Sequence, residues 1–137
     1  MQQPIDRVDV DALGGVEGIH RWVARFYDKV AGEPVLAPMF TDLERARDKQ
    51  QAYFVEFFGG PKLYSAQYGK PFLRYLHRQF KIGVPERDAW MKLVVEALRD
   101  QTDDEQLIAE VQRRLGDMAD KMINHHSEKR DAYYFNA

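Results

Sequence analysis

The stretch "PFLRYLHRQFKIGVP", residues 71–85, decides the fold, because it puts one histidine on a short apolar segment pinned between two prolines. If 71–80 is helical, Phe72, Leu73, Leu76 and Phe80 form its inner side, with His77 at the edge beside Leu73 and Phe80. A histidine there is packed and idle, moves protons, or holds a metal. A lone boundary histidine is usually structural. The rest of the chain has to decide.

Working outward, helices alternate with glycine and proline stops. Residues 17–31, "EGIHRWVARFYDKVA", place Ile19, Trp22, Val23, Phe26, Tyr27 and Val30 on one face of an amphipathic helix, ended by Gly32 and Pro34. After "VLAPMF", a second helix over "DLERARDKQQAYFVEFF" stops at Gly59-Gly60-Pro61. Pro85 starts a third as a first-turn proline, with Trp90, Leu93, Val94 and Ala97 on one face. A fourth runs from about Asp103, with Leu107, Val111, Leu115, Met118 and Met122 inward. Strand alternation is nowhere convincing, so the class is all-α. Residues 1–12 are polar and are expected to be loose.

At 137 residues the chain is one domain's worth, enough for a core without staples. A net charge of −2 argues against nucleic acid or an anionic membrane as main partner. With no cysteine there is no disulfide framework, thiolate nucleophile, iron–sulfur cluster or thiolate zinc site. The N-terminus lacks the basic start and apolar run of a signal peptide, and no window approaches a membrane span. These features lead us to expect a soluble cytoplasmic protein.

Polar residues on apolar faces carry the most information. On the second helix Leu43, Ala46, Phe54 and Phe57 share a stripe, and Gln50 points within it. A buried amide without partners costs about 1–3 kcal/mol. Either backbone or water satisfies it, or a ligand inside the fold does. Tyr27 and Trp90 repeat the theme, each inward and each with a polar handle. Singly they are core filler; three from three helices could converge on one small polar ligand. No zinc set appears, since His125 and His126 are adjacent and point apart on a helix, and they read as a solvated end. His20 reads as a boundary residue. There is no phosphate loop, HExxH or nucleophile elbow, and "RDKQQ" at 47–51 and "EKRD" at 128–131 read as solvated faces.

An ordered set of motifs then stands out: "GGVEGIHRWVARFYDKV" at 14–30, "VLAPMF" at 35–40, "FFGGPKLYSAQYGKPFLRYLH" at 57–77 and "ERDAW" at 86–90. Over about residues 12–125 the chain resembles the truncated, two-over-two haemoglobins, specifically their second group. The resemblance implies a globin-like helical sandwich forming one domain over residues 1–137, with His77 bonding haem iron through Nε2. It implies that Phe40, Phe54, Leu73, Leu76, Phe80, Leu93 and Val94 wall the porphyrin. Lys49, Tyr64 and Arg74 would meet the propionates, and Ala46 stands where many globins carry a gating histidine. Tyr27, Gln50 and Trp90 would donate toward the gas ligand.

The match departs from the group's pattern in a shorter loop after Phe40. Leu76 and Gln79 also replace the usual Arg and Pro flanking the histidine, which implies one propionate contact fewer and a freer proximal backbone. The expected function is reversible binding of O2, with CO and NO as further ligands, at a five-coordinate haem b held without covalent attachment. Haem-dependent nitric oxide dioxygenation or peroxidase-like chemistry, served by a separate reductase, is the alternative. A haem-free sensor or interaction module is the third reading.

Overall fold

Helix α1, Gly15–Val30, starts after Gly14, whose φ of 90° is left-handed and favours a residue without Cβ. This computed structural model describes residues 8–71 and 73–125. Ile19, Trp22, Val23, Phe26, Tyr27 and Val30 are all buried, as the spacing predicts. A 3-10 turn, Ala37–Met39, leads to α2, Leu43–Phe57, where the Asp42 carboxylate accepts the Arg45 N–H at 3.0 Å. Then come α3, Leu63–Tyr68, and the single turn α4, Leu73–Leu76. Helix α5, Val84–Arg99, carries Pro85 in its first turn, and α6, Glu105–Asp120, is capped by Asp104 accepting from the Leu107 N–H. No strand occurs among the described residues.

Helix α1 packs on α2 and on α5, while α5 packs on α6, so two helix pairs are joined through α1 and α5. The seam is aromatic. Trp22 lies 5.0 Å from Phe54 and 6.0 Å from Phe58, ring centre to ring centre, and its indole N–H donates to the Val94 carbonyl at 3.0 Å. No helix among the described residues is long and apolar enough to cross a membrane.

Several expectations change. Residues 8–12 are not loose: Val8 is buried, its carbonyl accepts from Arg114, and backbone bonds close a turn onto Leu13. Helix α3 was not foreseen, because six residues are too few for a readable period. The segment 71–80 is helical only over Leu73–Leu76, and Leu76 is 41% exposed rather than inward. One helical turn makes too few hydrogen bonds to propagate, so its ends follow tertiary contacts. On α2 Phe54 is fully buried, as the stripe predicts, while Phe57 is half-buried and the C-cap residue Phe58 is the second buried aromatic. On α6, Ile108, Val111, Leu115 and Ala119 are the buried set, while Leu107, Met118 and Met122 are half-covered. His125 is half-buried rather than solvated. Phe72, His126 and residues 128–131 lie outside the described residues.

Candidate functional site

Tyr27 on α1 and Gln50 on α2 meet directly, the phenol O–H donating to the Gln50 Oε1 at 2.7 Å. Burial pushes the Tyr27 phenol well above its usual range, so it keeps its proton and needs an acceptor. That need orients the amide. Oε1 turns to Tyr27, and the Gln50 Nε2 is left buried with no hydrogen-bond partner among the described residues. An unmet buried donor costs about 1–3 kcal/mol, so this N–H is poised for something further.

Aromatic contacts bring the neighbouring candidates together. Tyr27 stands edge-on to Phe40 at 5.5 Å and to Phe26 at 4.8 Å, while Trp90 on α5 packs against Phe26 at 5.9 Å and Phe54 at 6.3 Å. The Trp90 indole is half-buried and its N–H donates to no described residue. Ala46 is half-buried on α2, Leu93 is buried, and Val94 is fully enclosed in the central core. Along α2, Leu43, Ala46, Gln50, Tyr53 and Phe57 form a half-covered row at helical spacing, beside the fully covered Ala52, Val55 and Phe58. The helix therefore has one side in the core and another facing a crevice. A cleft of about 440 Å³ opens at that row's far end, lined by Tyr53, Phe57, Leu73, Arg74, Met118 and Met122 among others.

His77 follows α4 directly and is half-buried, 6.2 Å from the Phe80 ring. Its Nδ1 lies 2.8 Å from the Leu73 carbonyl oxygen. A carbonyl only accepts, so Nδ1 carries a proton, and in the neutral ring Nε2 then keeps the lone pair. This tautomer follows from the geometry. Among the described residues no three His, Cys, Asp or Glu side chains gather to hold a metal. An ion on His77 would need its other ligands from elsewhere, as a porphyrin supplies.

Of the three residues expected at the porphyrin rim, Lys49 and Tyr64 meet at Tyr68, and Arg74 lies on the cleft that Tyr53 also lines. Lys49 sits over the Tyr68 ring at 5.2 Å, Tyr64 is buried between Tyr53 and Tyr68, and Arg74 is exposed at the cleft. Two contributors went unread in the sequence. Tyr53 continues the row of Ala46 and Gln50, and burial beside Glu56 and Tyr64 pushes its phenol up to about 12. Asn124, beyond the end of α6, had no local signal at all.

Helix α3 is held by Glu56, whose carboxylate accepts the Ser65 hydroxyl and, at 2.9 Å, the Ser65 backbone N–H. Ser65 hydrogen bonds hold the Glu56 carboxyl below its ordinary 4.5. A depressed carboxylate stabilises the fold above its unfolded value and loses that contribution as pH falls through the lowered one. We expect the wild type to lose stability below about pH 4.5 more steeply than Glu56→Gln, in urea melts across pH 3–7. Parallel acid limbs would show that this contact is not linked to folding.

Comparison with known proteins gives a consistent match. The bacterial-like globin family matches residues 10–124. Group 2 truncated hemoglobin YjbI of Bacillus subtilis (strain 168) is 36% identical over 85 residues, covering 61% of this chain and 64% of that protein. The match thus spans just under two thirds of that relative's length. The group II truncated hemoglobin structure from Bacillus anthracis superposes with a TM-score of 0.82 at 32% identity, covering 85% of this chain and 96% of the other. A truncated oxygen-avid haemoglobin from Bacillus subtilis gives 0.78 at 32%, covering 83% and 97%.

Proposed function

Since the chain belongs to the bacterial-like globin family, and within it to the group II truncated haemoglobins, we propose that it binds one non-covalent haem b through His77 and holds oxygen reversibly. Carbon monoxide and nitric oxide are further ligands. The observation that carries this reading is the buried Gln50 Nε2 donor without a partner, left over when Oε1 takes the Tyr27 hydrogen bond.

The residues fit the cofactor on two counts. With Nδ1 engaged by the Leu73 carbonyl, the His77 ring in its neutral form offers Nε2, the atom an iron ligand uses. The half-covered row on α2, with exposed Leu76 and half-covered Leu73, Phe80, Met118 and Met122, offers apolar surface suited to a large flat hydrophobe. Haem held there would supply an iron that binds diatomic gases.

Each side chain then has a task. The Leu73 carbonyl fixes the His77 tautomer and ring orientation. Gln50 would offer its Nε2–H to a bound gas as a hydrogen-bond donor, and Trp90 is the second available donor. Tyr27 positions Gln50, because its own proton is engaged by Oε1. Phe26, Phe40 and Phe54 pack around these groups and keep water out, which strengthens every dipole inside. Lys49, Tyr64 and Arg74 remain the candidates for the propionates.

The same donors support a second reading. A pocket that retains oxygen suits chemistry on it, such as nitric oxide dioxygenation or peroxidase-like turnover, better than delivery. The Bacillus subtilis structure is itself described as oxygen-avid. Turnover would need a separate reductase, as this chain carries no flavin or nicotinamide motif. The test is an absorbance spectrum of the haem-loaded protein, then stopped-flow of the oxygenated form against nitric oxide and the ferric form against peroxide. A Soret band with slow oxygen release supports oxygen retention. Reaction rates above those of free haem favour catalysis, and the lack of a Soret band sinks both.

A further inference from the structure

We propose that Asn124 is a positioning residue for His77, clamping the backbone that follows it to the end of α6. The proposal rests on the haem reading above and adds a residue from a distant part of the chain. The need for a clamp is visible in the fold. Helix α4 is one turn, Leu76 and Tyr75 are 41% and 61% exposed, and 77–83 contains no helix. So short an element has little stability of its own.

Asn124 meets that need with its whole side chain. Its Nδ2 donates to the Phe80 carbonyl at 2.9 Å and, longer, to the His77 carbonyl at 3.4 Å. Its Oδ1 accepts the Ile82 N–H at 2.8 Å, 42 positions away in sequence. Its backbone N–H and that of His125 both donate to the Ile82 carbonyl, at 2.8 and 2.9 Å. Ile82 itself is buried, so the clamp is anchored rather than dangling. The neighbouring Gly83 confirms how closely the strands of chain approach: a Cβ there would sit 2.8 Å from the His125 carbonyl oxygen.

The consequence is mechanical. The Nδ1–Leu73 bond sets the imidazole's orientation from the N-terminal side, and Asn124 restrains the backbone from the C-terminal side. His77 is then restrained on both sides. Loosening the clamp should weaken the iron–histidine bond and speed haem escape.

Two variants of the haem-loaded full chain separate this role from simple stability. Asn124→Ala removes every side-chain bond. Asn124→Asp keeps an acceptor for the Ile82 N–H but loses the donors to Phe80 and His77. Resonance Raman of the ferrous protein should show a shifted and broadened iron–histidine band in both variants. Haem transfer to an acceptor globin should run about tenfold faster, the scale of losing one or two neutral hydrogen bonds. Hydrogen exchange at Ile82 should speed up in Asn124→Ala and stay slow in Asn124→Asp. An unshifted band with wild-type haem loss in the folded variants overturns the clamp and leaves the haem reading intact. If Asn124→Ala does not fold, Asn124→Asp decides alone. A wild type with no Soret or iron–histidine band sinks the haem reading and this role with it.

Discussion

Haem uptake should collapse in His77→Ala, falling by at least about a hundredfold, since losing merely the hydrogen-bond partner of a metal ligand costs about 10–100-fold. The reason is local and singular. Among the described residues no three His, Cys, Asp or Glu side chains gather to hold a metal, and His77 has its Nδ1 engaged by the Leu73 carbonyl. Exogenous imidazole should restore much of the binding by filling the vacated space. Titration of the apoprotein with haem, followed at the Soret maximum, reads the effect. Normal uptake by His77→Ala, with loss in His20→Ala or His125→Ala, would move the ligand elsewhere.

The next largest effect belongs to Gln50. Removing its N–H in Gln50→Leu should speed oxygen release by roughly ten- to a hundredfold, the equivalent of about 1.5–3 kcal/mol for a hydrogen bond to a charged acceptor. Carbon monoxide release should change far less, because that ligand gathers less negative charge. Tyr27→Phe tests the division of labour. If the phenol acts only by orienting the amide, Tyr27→Phe speeds release on its own but adds nothing to Gln50→Leu. The double-mutant cycle is then strongly non-additive. Additive effects would mean that Tyr27 donates to the ligand itself. Flash photolysis and oxygen-displacement kinetics on the three variants provide the numbers.

How much was legible differs by residue. The six inward positions of α1 were read correctly because one face of that helix meets protein and the other meets solvent, which produces a clean 3.6-residue period. Helix α2 blurs the pattern, since one side enters the core and another lines a crevice. There the sequence still marks Gln50 as anomalous and Phe54 as inward, but offers Phe57 where Phe58 is the second buried aromatic. Tyr53 lay on the same row and went unread, because a half-covered tyrosine looks like any surface aromatic. Leu76 fails for a different cause: the period extends over residues 71–80, of which, among those described, only Leu73–Leu76 are helical.

The proximal backbone is the sharpest contrast. Gln79 suggested a freer chain after His77, whereas the folded protein ties that chain down from Asn124. By itself the sequence determined the all-α class, the face of α1, the stops at glycine and proline, and the choice of His77, Gln50, Tyr27 and Trp90 as residues to question. These are local properties, set by residue spacing and by side-chain chemistry. Only the tertiary structure decided that the Tyr27 proton goes to Gln50, that Nε2 is the donor left over, and that Asn124 holds the segment behind the histidine. Those hydrogen bonds span 23 and 42 positions. A polar side chain's partner over such distances is set by how the helices pack, and no local period encodes that.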